Sequence, residues 1–576
     1  MASQSIQTKQ LFVQRLRAII IGLVVIAICI IGQLFHLQII NQKEYKQRAE
    51  HQYRKPVGDV FDRGDIYFTG KDGENVAAAT IATGYTLAIL PPQIANPEQL
   101  YASLAPIIDI DKDTFIAKAS KKSDPYEEIL THLSEDQAAA IVALHQPKAL
   151  LLINEKWRFY PGNTMAAQTI GFVSFKDNTL IGRYGLEGFY NDVLSRTSQD
   201  FYVNFFAEIF SNVKDTLFKN NTTTGDVVTG IEPVVQSELE TLTQQIEDKF
   251  KSDSVGAIVM DPYTGQIIAM AHLPNFDPNN YGNVSDISVY KNPFAENAYE
   301  MGSIVKPMVM AAGIDSGAVT PATMYFDKGS VVVGDRTIKN FDKRGRGKAN
   351  MQDVLNQSLN TGMVFVEQHM GNAAFKDYML DRYKLGQKTG VDLPGEINGI
   401  TSGLRDNNNV NYANAAFGQG IALTPLSIVK GFAILANGGY VITPHIASQI
   451  KQVDGVTRDL IYPKSAQPVL KPETIQTMHT MLTHVVDDGY HRANPRYTIA
   501  AKTGTAQVAK PNGQGYYTDR NLHSLVGFFP ATNPRFVIYF YDLYPKGAPF
   551  AISSLGDSFF EMVQFLAGYY DIPPDR

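Results

Sequence analysis

Residues 18–32 contain no polar side chain, and the apolar character continues past Gln33, His36 and Gln38 to Ile40. No other stretch restricts the chain so strongly. About 20 apolar residues suffice to cross the hydrocarbon core of a bilayer as one helix. A cleaved leader has a shorter apolar region and ends in a small-x-small site, whereas Leu34-Phe35-His36-Leu37 stands here. The run therefore predicts an uncleaved transmembrane helix over 18–40, preceded by a short tail, 1–17. Lys9, Arg15 and Arg17 precede it, and Lys43, Lys46, Arg48, Arg54 and Lys55 follow, so the positive-inside rule does not orient it.

At 576 residues the chain is long enough for two or more further domains. A net charge of -6 without a basic block gives no footprint for nucleic acid. The single cysteine, Cys29, lies inside the apolar run. The rest of the chain has neither disulfides nor a thiolate metal site and must be held by a large core.

Residues 41–60 are polar and read as a stalk extending the membrane helix, while region 61–230 mixes short apolar runs, turns and helical patterns such as 136–144, carries little chemistry and reads as a scaffold. The texture changes near 225–235. A helical pattern through Val234, Leu239, Leu242 and Ile246 leads into a hairpin: strand 255–260, the turn Asp261-Pro262-Tyr263-Thr264-Gly265, return strand 266–271. Near the C-terminus, 525–529 and 536–541 read as strands and 559–567 as a helix ending at Gly568. Strands at both ends with helical sequence between them predict one α/β (α+β) domain over 231–576, its sheet mostly antiparallel and flanked by helices.

Three motifs carry chemistry. In Ser303-Ile304-Val305-Lys306, Pro307 is tolerated only in a first helical turn, so a helix begins near Ser303. Positions three apart share a face, which brings the Lys306 amine beside the Ser303 hydroxyl. A serine needs an adjacent base, and a desolvated lysine is neutral enough to be one. The spacing alone is weak: Ser211/Lys214, Ser288/Lys291, Ser427/Lys430 and Ser448/Lys451 share it. Gly302 before Ser303 and the long apolar helix after it set this match apart. The second motif is Ser358-Leu359-Asn360, between helical patterns 353–357 and 362–370. Taken alone it reads as a helix cap; in a set it offers a hydroxyl to relay a proton and an amide to hold a substrate. The third is Lys502-Thr503-Gly504-Thr505, after a strand over 497–501. A lysine and two hydroxyls on a sheet edge can bind a carboxylate, and Gly504 would let a substrate approach the backbone. Lys388-Thr389-Gly390 repeats the pattern but leads into a loop.

The order S-x-x-K, S-x-N, K-T-G is the signature of the penicillin-binding and class A β-lactamase superfamily. The chain resembles class B penicillin-binding proteins, the single-pass monofunctional transpeptidases. Asp261-Pro262-Tyr263-Thr264-Gly265, Leu393-Pro394-Gly395-Glu396, Gly418-Gln419-Gly420, Arg63-Gly64-Asp65-Ile66, Arg158-Phe159-Tyr160-Pro161 and Gly185-Leu186-Glu187-Gly188 extend the likeness, while Phe68-Thr69 departs from it. The resemblance implies a pedestal domain of the penicillin-binding-protein dimerisation type over 41–230. It implies that Ser303 attacks the penultimate D-alanine carbonyl of a stem peptide and that Lys306 is the base. Ser358 passes a proton to the leaving amine, Asn360 positions the substrate, and Lys502 supplies positive potential. Thr503, Gly504 and Thr505 bind the terminal carboxylate, and the N–H groups of Ser303 and Thr505 form the oxyanion hole. No cofactor or metal is implied. The implied partners are nascent glycan strands, β-lactams as inhibitors and a membrane glycosyltransferase of the shape-and-division polymerase family. The implied place is the bacterial plasma membrane, tail inside and catalytic domain outside, nearer the division type. Against a β-lactamase stands the lack of an E-x-x-L-N element after Ser358. The scaffold speaks against a carboxypeptidase, and no acidic glycosyltransferase motif occupies 41–230. A non-catalytic sensor would need a larger domain before the span, and a dead scaffold would have lost a motif residue.

Overall fold

The computed structural model describes residues 62–146, 148–176, 179–196, 224–406, 408–510 and 515–576. The expected tail and transmembrane helix, the first part of the scaffold, and the Ser211/Lys214 pair lie outside the described residues. Among the described residues no helix is long and apolar enough to cross a membrane.

The chain forms two compact units. The smaller, Thr83–Trp157, packs three short helices, Pro97–Leu104, Lys112–Ala119 and Glu135–Val142, with strand Glu127–Leu133 and most of strand Leu150–Phe159 around a core containing Leu87, Leu104, Phe115 and Leu133. Asn96, Asp111 and Ser134 cap helix starts with their side chains, the last in a capping box with Gln137.

The larger unit joins Asp62–Ala82 to Arg158–Arg576. Its centre is a five-stranded antiparallel sheet: β1 (Ser254–Met260), β2 (Ile267–Leu273), β3 (Ala500–Ala509), β4 (Tyr516–Phe529) and β5 (Phe536–Leu543), ordered β3-β4-β5-β1-β2. The period of two divides each strand between two cores. Val255, Ala257 and Val259 of β1 and Ile538 and Phe540 of β5 face helices α1 (Pro233–Phe250) and α6 (Ala551–Tyr569). Ile258, Met260, Val537 and Tyr539 face the opposite layer. That layer holds α2 (Lys306–Asp315), α3 (Asn360–Met370), α4 (Pro425–Ala436) and α5 (Pro472–His484). α4 is buried on every face, as its largely apolar sequence requires, and takes Ser427 and Lys430 into the interior with it.

The expected hairpin is present as β1 and β2. Three boundaries differ most. The strand expected over 525–529 is the end of β4, which starts nine residues earlier at Tyr516. The strand expected over 497–501 is β3, which starts at Ala500 and carries the whole K-T-G-T run inside it. The helix expected over 559–567 begins eight residues earlier, because Ala551, Leu555 and Phe559 keep one buried face in register.

Candidate active site

β3 is an edge strand, and its alternation sorts the K-T-G-T run. Lys502, Gly504 and Ala506 face the α2 layer, while Thr503 and Thr505 face the other way. A Cβ on Gly504 would stand 2.8 Å from the Met301 carbonyl and 3.1 Å from Ile304. The glycine therefore lets the serine-bearing turn lie directly on the strand. This corrects the expectation that it clears space for a substrate. Gly302, at φ +58°, would place a Cβ 3.1 Å from that of Ala506, and its N–H donates to the Gly418 carbonyl at 3.1 Å. Gly418 would in turn drive a Cβ to within 2.1 Å of the Gly302 carbonyl. Ser303 is thus carried on a tight turn, Gly302–Val305, clamped between β3 and Gly418. The turn is 3-10, and the α-helix proper starts at Lys306.

Lys306 is fully buried. Its Nζ donates to the Ser358 carbonyl at 2.6 Å, to Asn360 Oδ1 at 2.8 Å and to Ser358 Oγ at 3.2 Å. All three partners come from the S-x-N loop. The expected side-chain pairing of Ser303 with Lys306 is not a hydrogen bond, since the Ser303 hydroxyl makes none among the described residues; the two residues are joined through the turn, where the Lys306 N–H donates to the Ser303 carbonyl. The S-x-N residues do not cap a helix. The N-cap of α3 is Leu359, without a side-chain bond. Ser358 sits at φ +54°, which turns both its carbonyl and its hydroxyl to Lys306. Asn360 gives one N–H to the Lys339 carbonyl at 3.0 Å.

No carboxylate pairs with Lys306 among the described residues. Burial first, and the Lys502 charge second, hold its amine well below the ordinary lysine value. Lys502 is also fully buried; burial pushes it down to about 7, and its Nζ donates to the Thr503 carbonyl at 3.0 Å. The Lys502 charge therefore adds to burial in favouring the neutral Lys306 amine.

Sequence reasoning missed Tyr490. Its hydroxyl accepts from the Thr503 N–H at 2.7 Å and lies 3.0 Å from Thr503 Oγ1. Both outward backbone groups of Thr503 are therefore taken within the chain. Ladder alternation turns the N–H of Thr505 toward the same open edge. The Thr505 hydroxyl is exposed and accepts from Ala551 N at the start of α6, 3.1 Å away. No motif announced Tyr490, which follows α5 far from the K-T-G run in pattern.

The look-alikes separate cleanly. Ser288 bonds Asp286 and is exposed. Ser427 and Lys430 are sealed inside α4. The Thr389 hydroxyl and the N–H groups of Thr389 and Gly390 hold the chain's own Glu396; that K-T-G run is a structural loop.

An antiparallel sheet between helical layers, with a serine, two lysines and an S-x-N loop in one cleft, defines a serine acyl-transferring enzyme of the penicillin-recognising class. The chain belongs to the penicillin-binding protein transpeptidase family: the profile "Penicillin binding protein transpeptidase domain" matches residues 255–546, just over half of it. The "Penicillin-binding Protein dimerisation domain" matches 60–229. Stage V sporulation protein D of Bacillus subtilis (strain 168) is 29% identical over 554 residues, covering 93% of this chain and 82% of its own. The Peptidoglycan D,D-transpeptidase FtsI homolog of Mesostigma viride is 26% identical over 550 residues, covering 88% of each. The crystal structure of Penicillin Binding Protein 2X from Streptococcus thermophilus has a TM-score of 0.71 at 21% identity, covering 89% of this chain and 80% of its own, a likeness of fold.

Proposed function

We propose that the chain is a peptidoglycan D,D-transpeptidase that cross-links stem peptides through an acyl-enzyme on Ser303. The observation that carries this reading is the Lys306 amine: buried, without a carboxylate, and held by both polar residues of the S-x-N loop. An uncharged amine there takes the Ser303 proton. The serine oxygen attacks the penultimate D-alanine carbonyl, and the oxyanion forms toward the N–H groups of Ser303 and Thr505. One such donor is worth about 3–4 kcal/mol in comparable enzymes. Ser358 returns the proton to the leaving D-alanine. Its 3.2 Å contact is the longest of the three and the one whose donor and acceptor can exchange. Asn360 orients the substrate amide with its remaining N–H. Lys502 and the hydroxyls of Thr503 and Thr505 draw the terminal carboxylate to the open edge of β3.

The same reading places 18–40 across the plasma membrane as a single span, 41–230 as a pedestal and 231–576 as the catalytic domain, outside. β-Lactams act as substrate mimics, and a membrane glycosyltransferase of the shape-and-division polymerase family supplies glycan; the role is of the division type. Mass spectrometry after penicillin treatment tests the chemistry. An adduct of one acyl group on Ser303, absent from Ser303→Ala, is expected, and an adduct that survives in that variant overturns the assignment. Protease added to spheroplasts should digest the chain beyond about residue 41, a length set by the span; protection would reverse the orientation.

A further inference from the structure

A pocket of ≈ 590 Å³ opens beside Asn360. One wall is the strand Arg336–Lys339, whose Lys339 carbonyl accepts from Asn360. The opposite wall runs to Phe417 and Gln419, and between them the Gly418 carbonyl takes the N–H of Gly302, next to Ser303. Each wall is thus bonded to the catalytic cluster, and Asn360, the partner of Lys306, itself lines the pocket. No residue of β3 lines it.

Its polar groups lack employment. The half-buried side chains of Asn411, Asn414 and Gln419 make no hydrogen bond among the described residues. At the rim stand two exposed cations, Arg336 and Lys339, against one carboxylate, Asp335, which lies 3.8 Å from Arg336. Amide side chains and an excess of cation fit a peptide bearing carboxylates.

We propose that this pocket receives the acceptor stem peptide, the amine-bearing strand that resolves the Ser303 acyl-enzyme. The proposal rests on the transpeptidase reading above. The donor lies along the open edge of β3 and stays attached after acylation, so the second peptide must come from the other side. In the step itself the acceptor nitrogen bonds to the ester carbonyl carbon, and the bond from that carbon to Ser303 Oγ breaks. The proton released by the amine passes through Lys306 to Ser303 Oγ. Arg336 takes an acceptor carboxylate, and Asn411 and Asn414 take backbone amides.

The test uses the full-length chain, acylated with a thioester donor, and measures the ratio of aminolysis to hydrolysis with two amines: a stem tetrapeptide and free glycine. In R336A/N411A the ratio with the tetrapeptide should fall about tenfold or more, the loss of one charge-assisted and one neutral hydrogen bond, while the ratio with glycine holds. Continued acylation by penicillin shows that the variant is folded. An unaltered tetrapeptide ratio, or equal losses for both amines, overturns the pocket assignment. Failure of the wild-type chain to acylate at all overturns the transpeptidase reading instead.

Discussion

Two clusters of cations are buried in the larger unit, and the chain treats them in opposite ways. In the first, the Nε of Arg63 and the Nε of Arg158 each stand 2.6 Å from the Glu187 carboxylate, with Tyr160 at 3.3 Å. Arg63 also holds Asn191 and Ser195. Burial raises the Glu187 carboxyl, but the charges of Arg158 and Arg63 outweigh it, and the net position is below the ordinary glutamate value. In the second cluster, Lys306 and Lys502 are just as buried but have only neutral partners. A guanidinium cannot shed its proton inside a protein and must be paired there; an ammonium can shed it. Burial therefore makes a structural knot of arginines and a reactive base of lysine.

Four experiments would break or sharpen this contrast. Lys306→Arg, which installs a permanent cation, should slow acylation by fluorescent penicillin by about 10²–10⁴-fold, the usual worth of a positioned base; a near-native rate would mean that deprotonation at 306 is unnecessary. Glu187→Gln leaves two buried guanidiniums uncompensated and should cost on the order of 3–5 kcal/mol in a urea titration. Because the Glu187 value is lowered in the folded chain, the contribution of the knot is complete above the ordinary glutamate value and fades as pH falls below it toward the folded value. A wild-type chain with the same acid sensitivity as the variant would contradict this. Lys502→Met removes a repulsive charge, so the Lys306 value should rise and the acid limb of the acylation profile should move to higher pH. The shift is partial, because burial is the larger cause; an unmoved limb would show that the two amines do not feel each other. Ser358→Gly relieves a left-handed side-chain residue and should stabilise the fold by about 1 kcal/mol while slowing acylation. A loss of stability would mean that the Ser358 hydroxyl serves the fold.

Much of this was legible beforehand. The hairpin of β1 and β2 was plain, because its turn chemistry and its apolar strands agree. The S-x-x-K residue pair was readable because Pro307 fixes the helix start. The knot could be seen only as three separate fragments, since Arg63, Arg158 and Glu187 meet through long-range pairing that no local period encodes. Tyr490 and the carbonyl of Lys339 were invisible for the same reason: backbone acceptors and a lone phenol have no spacing to read. The role of Gly504 was misjudged because a glycine's sequence does not say which side of the strand is crowded.

The capping of Thr503 by Tyr490 and Lys502 has a consequence for what can bind. A bare sheet border invites foreign strands to zip along it, the route to aggregation. Here the rung at Thr503 is plugged from within, and the open border begins at Thr505. A guest strand can therefore zip along one end of the border only and must stop at Thr503, which favours the tail of a chain over its middle.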